Sequence, residues 1–256
     1  MEILKVGDVV GTAGCAHLRR VLPGIKKQYR IDVCVVNGEN AADGNGLTPV
    51  AAEHILDSGA DLITGGNHTF RRPELRERLE RDTALLRPAN FPASAPGTGL
   101  GVVDKGRFSL TVINLMGQVY MDPPLACPFE TLDRLLNEAG RPKFCLVDFH
   151  AEATAEKKAL GYYADGRVSA LVGTHTHVQT ADAAILPGGT GFVTDVGMTG
   201  PVHSVLGVKP ELSIAKMKDK LPVRFATAEG PCMMNAVVIS LDDKTGHAVK
   251  METITA

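Results

Sequence analysis

The stretch GTHTHVQTAD (Gly173–Asp182) places two imidazoles one residue apart, His175 and His177, directly after the apolar run VSALVG. At the end of an extended strand, residues i and i+2 point to the same face, so both rings can enter one pocket. Other strand-like runs end in the same kinds of residue. Ile3–Asp8 ends in Asp8, Asp32–Asn40 in Glu39 and Asn40, Asp61–His68 in Asn67 and His68, and Lys143–His150 in His150. Each residue alone reads as a turn, a cap or a satisfied buried histidine. Five separate strand ends carrying metal-ligand types point instead to a shared metal site. One catalytic metal needs about three protein ligands. The set Asp8, Glu39, Asn40, Asn67, His150, His175 and His177 is too large for that and suits two ions sharing a carboxylate, with Glu39 as the natural bridge. Two ions roughly 3.5–4 Å apart can clamp the attacking and leaving oxygens of a phosphoryl transfer, and they supply hydroxide at neutral pH for in-line attack on phosphorus. Oxygen and imidazole ligands without thiolate suit Fe, Mn or Zn.

These residues need elements to hold them. Besides the runs above, Phe108–Gly117 and Arg167–His177 read as strands, and His17–Tyr29, Val50–Ala60, Phe129–Gly140 and Ala151–Ala164 as helices. Strands alternating with helices imply parallel sheet and βαβ units. In such sheets ligands bind outside the carboxyl ends of the strands, where the candidates fall. Toward the C-terminus, Val223–Gly230, Cys232–Asp243 and His247–Thr255 alternate more strictly and predict antiparallel strands. There is no repeat, low-complexity tract or linker, so residues 1–256 are expected to form one α/β domain.

Composition narrows the classes. A net charge of -2, with 44% hydrophobic and 22% charged residues, gives no bulk attraction to nucleic acid or anionic membrane. No apolar run approaches the roughly 18 residues of a membrane span, and a cytoplasmic protein is expected. The five cysteines include no CxxC pair, which argues against a disulfide framework or thiolate zinc. Trp is absent, so stacking platforms for single-stranded nucleic acid are not expected. His17, His54, His203 and His247 fall in helical or turn-like segments, away from the strand ends. The glycine-rich Asn40–Thr48 lacks the GK[ST] ending of a P-loop and reads as a tight loop beneath the metals. Asp148 and Glu152 flank His150 and are candidates to orient it; Asp195 is another supporting candidate.

The motifs GDVVG, NGENAADGNGLT, GGNHT, RPANFP, DFHAEATAEKKALG, GTHTHVQTAD, TDVGMTGP and LPVRF, in this order, resemble the calcineurin-like metallophosphoesterases and, within them, the YmdB-like bacterial subfamily. The resemblance spans essentially the whole chain. Val10 stands where the broader superfamily has a ligating His, and Glu39 where it has Asp; both features are similar to the YmdB-like subfamily. The resemblance implies two β-sheets sandwiched between helices. It implies one metal on Asp8, Glu39, Asn40 and His177, a second on Glu39, Asn67, His150 and His175, and His68 as proton donor. It further implies hydrolysis of phosphodiesters, including 2′,3′- and 3′,5′-cyclic nucleotides. Two transition-metal ions are expected, Fe (Fe2+/Fe3+) first, with Mn2+ and Zn2+ as the other fits, in a homo-oligomer (dimer or tetramer). Two alternatives remain. A phosphomonoesterase needs positive groups for a dianion, and the strand ends supply no Lys or Arg. A nucleotide-binding regulator would be marked by a lost ligand or a lost His68, and all are present.

Overall fold

In the computed structural model, which describes residues 1–256, the chain begins β1 (Glu2–Val6), β2 (Asp8–Val9), α1 (Gly11–Gln28), β3 (Val33–Asn37), α2 (Pro49–Asp57), β4 (Leu62–Thr64), α3 (Leu75–Arg81) and β5 (Leu85–Leu86). It continues through β6 (Leu100–Asp104), β7 (Ser109–Met116), α4 (Pro128–Glu138), β8 (Cys145–His150), α5 (Thr154–Ala164) and β9 (Ala170–Thr174). The last elements are β10 (Ala184–Ile185), β11 (Gly191–Val193), β12 (Met198–Pro201), α6 (Pro210–Asp219), β13 (Cys232–Leu241) and β14 (Ala248–Thr255). One sheet has the order β2-β12-β13-β1-β3-β4-β5, with β14 also on β13; the other is β10-β11-β9-β8-β7-β6. Around the candidates the pairing is parallel: β2 on β12 and β1-β3-β4 in one sheet, β7-β8-β9 in the other. The antiparallel pairing expected near the C-terminus is present in β13 with β14 and β1.

Strand alternation builds three cores. Leu4, Val6, Cys34, Val36 and Ile63 face outward onto Leu18 and Leu22 of α1, Ile55 of α2 and Leu75 of α3. Leu18 and Leu22 are four apart, one face of a helix, and burying each contributes roughly 1.5–3 kcal/mol. The alternate residues Ile3, Val33, Val35 and Leu62 meet Leu110, Val112, Leu146 and Val172 of the second sheet. On its outer face, Ile113, Leu115, Val147 and Phe149 pack on Leu132 and Leu136 of α4 and Leu160 of α5. The two sheets are therefore sandwiched between helices, as the motifs implied.

The row of inward residues turns polar toward the carboxyl ends of the strands. Ile3 is followed on its face by Lys5, Val35 by Asn37, Leu62 by Thr64, Val112 by Asn114, Leu146 by Asp148 and His150, and Val172 by Thr174; all seven polar residues are fully buried. This polar layer between the sheets is the floor of the candidate site.

Two local expectations fail. Val223–Gly230 forms no strand: only Thr227 bridges, to Val208, because the pairing with Gly207–Lys209 is cut short where α6 begins at Pro210. Strand β9 ends at Thr174, so His175 and His177 are not on an extended strand; their φ values are 101° and 65°. The chain leaves the sheet there because the His175 N–H donates to Asp8 Oδ2 (3.2 Å) instead of to a neighbouring strand. Positive φ in a non-glycine residue costs on the order of 1–3 kcal/mol, so both histidines are held by contacts outside their own backbone.

Candidate metal centre

All eight candidates converge at the carboxyl ends of the strands. Glu39 Oε1 lies 3.2 Å from His150 Nε2, 3.0 Å from Asn40 Nδ2 and 3.2 Å from His68 Nδ1. His150 Nε2 is also 3.1 Å from Asn67 Oδ1 and 3.1 Å from His175 Nδ1. Ligand atoms of Glu39, His150 and His175 all lie within 4.8 Å of one another. Bonds of about 2.0–2.2 Å to one ion at tetrahedral or octahedral angles put ligand atoms roughly 3–3.5 Å apart. That is the spacing here. His150 Nε2 meets three such atoms and can offer at most one proton among them, so hydrogen bonding does not account for the cluster.

Asp8 supplies a second test. Its Oδ1 is buried without any hydrogen-bond partner, 3.8 Å from His177 Nε2 and 3.9 Å from His150 Nδ1. An unanswered carboxylate oxygen in the interior is costly, and a cation answers it. Asn40 Nδ2 is 3.2 Å from His177 Nε2, while its Oδ1 faces His68. Offering oxygen to a cation beside His177 takes a flip of that amide, which exchanges two atoms of nearly equal shape. The residues present therefore fit a metal pair.

The far side of each ring fixes its tautomer. His150 Nδ1 is 2.9 Å from Thr174 Oγ1, whose hydroxyl donates to Asp148 Oδ1 (2.8 Å), so Thr174 accepts the His150 Nδ1–H. His175 Nε2 lies 3.1 Å from Glu152 Oε2, and His177 Nδ1 lies 3.0 Å from the Leu206 carbonyl oxygen. In each case an acceptor faces the outer nitrogen, which leaves the inner one free to turn a lone pair to a bound cation, the arrangement of metal-binding histidines. Glu152 thus orients His175, not His150 as its sequence position suggested. Asp148 does serve His150, through Thr174.

Asp148 is itself neutralised by Lys5, with Nζ 2.9 Å from Oδ2 and both side chains fully buried, and accepts a short hydrogen bond from Thr64. Asn114 Oδ1 accepts from Gly65 N (2.9 Å) and fixes the GGNH turn. Sequence reasoning missed Lys5, Thr64, Asn114 and Thr174. The available signal was a polar residue at the inward position of an apolar strand. Gly66 is required for space: a Cβ there would lie 2.2 Å from Glu39 Oε2 and 2.3 Å from His150 Nε2.

Burial pushes the Glu39 carboxyl up, but His150 and His68 outweigh it and hold it well below the usual carboxylate range. Burial also raises Asp8. Burial and the neighbouring His150 push the His175 imidazole down to about 3, which keeps it neutral. Burial opposes a charged His150, yet Glu39 prevails and holds it up at about 9. A cation between Glu39 and His150 would compete with that ring proton, and its binding would release a proton.

His68 stands at the edge. Its N–H donates to Glu39 Oε2 (3.1 Å), and its Nδ1 is 2.9 Å from Asn40 Oδ1. With Nδ1 so held, Nε2 is the ring nitrogen left for the adjoining cleft. That cleft, about 570 Å³, is lined by His68, Asn45, Arg72, Leu206, Arg224 and Phe225. The glycine-rich loop contributes Asp43, Gly44 and Asn45 to its wall, while Ala41 and Leu47 of the same loop are buried in the core on the helix side of the sheet. The two arginines come from loops, which a survey of strand ends could not find.

A family model described as YmdB-like protein matches residues 4–254. The chain belongs to the YmdB-like family. A 2′,3′-cyclic-nucleotide 2′-phosphodiesterase of Bacillus subtilis (strain 168) is 49% identical over 255 residues, 99% of this chain and 96% of that protein. The crystal structure of a hypothetical protein from Thermus thermophilus superposes on this YmdB-like chain with a TM-score of 0.94 at 40% identity, covering 100% of this chain and 99% of that one. The crystal structure of a Mycoplasma pneumoniae protein described as a novel phosphatase gives 0.94 at 34% identity, covering 100% and 93%.

Proposed function

We propose that this YmdB-like chain is a binuclear-metal phosphodiesterase that hydrolyses cyclic nucleotides, both 2′,3′-cyclic and 3′,5′-cyclic nucleoside monophosphates. The observation that carries the reading is the convergence of Glu39 Oε1, Asn67 Oδ1, His150 Nε2 and His175 Nδ1 beside the partnerless Asp8 Oδ1. Asp8, Glu39, Asn40 and His177 would hold one ion, and Glu39, Asn67, His150 and His175 the other. Fe2+/Fe3+, Mn2+ or Zn2+ suits this donor set. When bound, such a pair acidifies water to hydroxide and neutralises charge on the phosphoryl oxygens. The protein's part is to orient and to deliver a proton. Glu152, Thr174 and the Leu206 carbonyl hold the rings of His175, His150 and His177. His68, its Nδ1 against Asn40 and Glu39, presents Nε2 to the ribose oxygen that departs.

The family and the Bacillus subtilis relative support a diester substrate. Arg72 and Arg224 give the monoesterase alternative more support than the strand ends did, since both face the cleft. Arg72 is tied to the carbonyls of Asn45 and Ala42 (both 3.0 Å). No helix is long and apolar enough to cross a membrane; a cytoplasmic homo-oligomer is the setting we infer. The test is turnover by metal-loaded protein of 2′,3′-cyclic AMP, 3′,5′-cyclic AMP and 5′-AMP side by side. Hydrolysis of the cyclic diesters well above the monoester is expected. Preference for 5′-AMP would replace the diesterase reading with the monoesterase one.

A further inference from the structure

We propose that the buried pair Lys157–Asp195 is a positioning device for the metal centre, acting through Thr176 and Gly197 without touching a metal ligand's side chain; this rests on the metal-centre reading above. Lys157 Nζ lies 2.7 Å from Asp195 Oδ2, and both side chains are fully buried. The same Oδ2 accepts from Thr176 N (3.0 Å) and from Thr176 Oγ1 (2.8 Å). Thr176 is the residue between His175 and His177, the two that hold left-handed backbone conformations. One carboxylate oxygen thus grips the middle of the strained loop.

The other oxygen reaches the opposite side of the site. Asp195 Oδ1 accepts from Gly197 N (2.9 Å), and the Gly197 carbonyl accepts from Asp8 N (3.1 Å). Asp8 carries the oxygen that lacks a partner. Thr180 closes the arrangement, its Oγ1 accepting from Asp195 N (2.9 Å) and its N–H donating to the Asp195 carbonyl (3.0 Å). Asp195 therefore fixes His175 and His177 relative to Asp8, that is, candidate ligands of both ions at once. Lys157, rising from α5, supplies the counter-charge of this buried carboxylate. Without the grip on Thr176, the two positive-φ histidines relax toward ordinary backbone and their inner nitrogens leave register.

A pair that merely stabilised the fold would behave differently, and Mn2+ titration of metal-stripped protein by calorimetry separates the two. Thr176→Val removes one hydrogen bond at nearly constant shape and Thr176→Ser retains it; Lys157→Met removes the counter-charge. Val238→Ala, in the distant core, serves as the stability control. Thr176→Val should weaken Mn2+ affinity on the order of 10-fold and Lys157→Met roughly 10–100-fold, the range for groups that orient metal ligands. Thr176→Ser should restore affinity close to wild type. Val238→Ala should lower the melting temperature and leave Mn2+ affinity unchanged. Wild-type affinity in Thr176→Val, or an equal loss in Val238→Ala, would overturn the proposal, whether or not Lys157→Met folds. Wild-type protein that takes up a single ion sinks the two-ion reading, while the variants' affinity for that ion still decides the positioning role.

Discussion

His68 and Asn67 are neighbours in sequence with different surroundings. Asn67 turns its amide oxygen to His150, whereas His68 turns Nδ1 to Asn40 and Glu39 and lines the cleft. A positioned general acid contributes roughly 10²–10⁴-fold to rate, and more when the leaving oxygen is a poor leaving group. His68→Ala should therefore keep its metals yet lose far more turnover on 2′,3′-cyclic AMP than on bis-p-nitrophenyl phosphate, whose nitrophenolate departs unaided. Metal content and turnover on both substrates check this; equal losses, or a lost ion, would mean that His68 positions the site and does not donate the proton. At this scale the sequence was readable where a residue type is rare at a strand end, as with His150 or His175. It was silent where the type is commonplace. Nothing marks Thr174 as the partner of His150, and Glu152 sits two residues from one histidine while serving another.

The elements show the same division. The strands from β1 to β9 that hold the candidates were legible because apolar runs end abruptly in polar residues. The helices α1, α2, α4 and α5 followed from their periodicity. Helix α6 was overlooked although Pro210 opens it and Lys216 and Lys218 stand in its last turn, both ordinary boundary signals. Val223–Gly230 alternates like a strand, but alternation does not guarantee a neighbour to pair with, and the segment lines the cleft through Arg224 and Phe225 instead. Lys5 illustrates what a strand pattern conceals. Inside β1 it reads as an interruption, yet it is the buried counter-charge of Asp148 from the opposite sheet. Removing one partner of such a pair typically costs about 3–5 kcal/mol, because the other charge stays buried. Lys5→Met should lower unfolding free energy by about that amount in urea denaturation. A loss under about 1 kcal/mol would mean that Asp148 finds other compensation.

At the scale of the whole molecule, two sheets packed face to face bring the carboxyl ends of β3 and β4 against those of β8 and β9. The first sheet contributes Asp8, Glu39, Asn40 and Asn67, chiefly oxygen donors. The second contributes His150, His175 and His177, all imidazoles. Neither sheet alone holds a complete set, so the mixed donor set exists only because the inner core aligns the two. Sequence motifs could order these residues along the chain, but the distances across the sheet interface required the fold. On the proposed function, this junction would hold two catalytic ions. This is tested by measuring the metal content of protein purified without chelators, then following 2′,3′-cyclic AMP turnover as Mn2+ or Fe2+ is returned to the stripped protein. Close to two ions per chain are expected, with turnover rising as the second is taken up. Full turnover at one ion per chain, or turnover that persists after stripping, would contradict it.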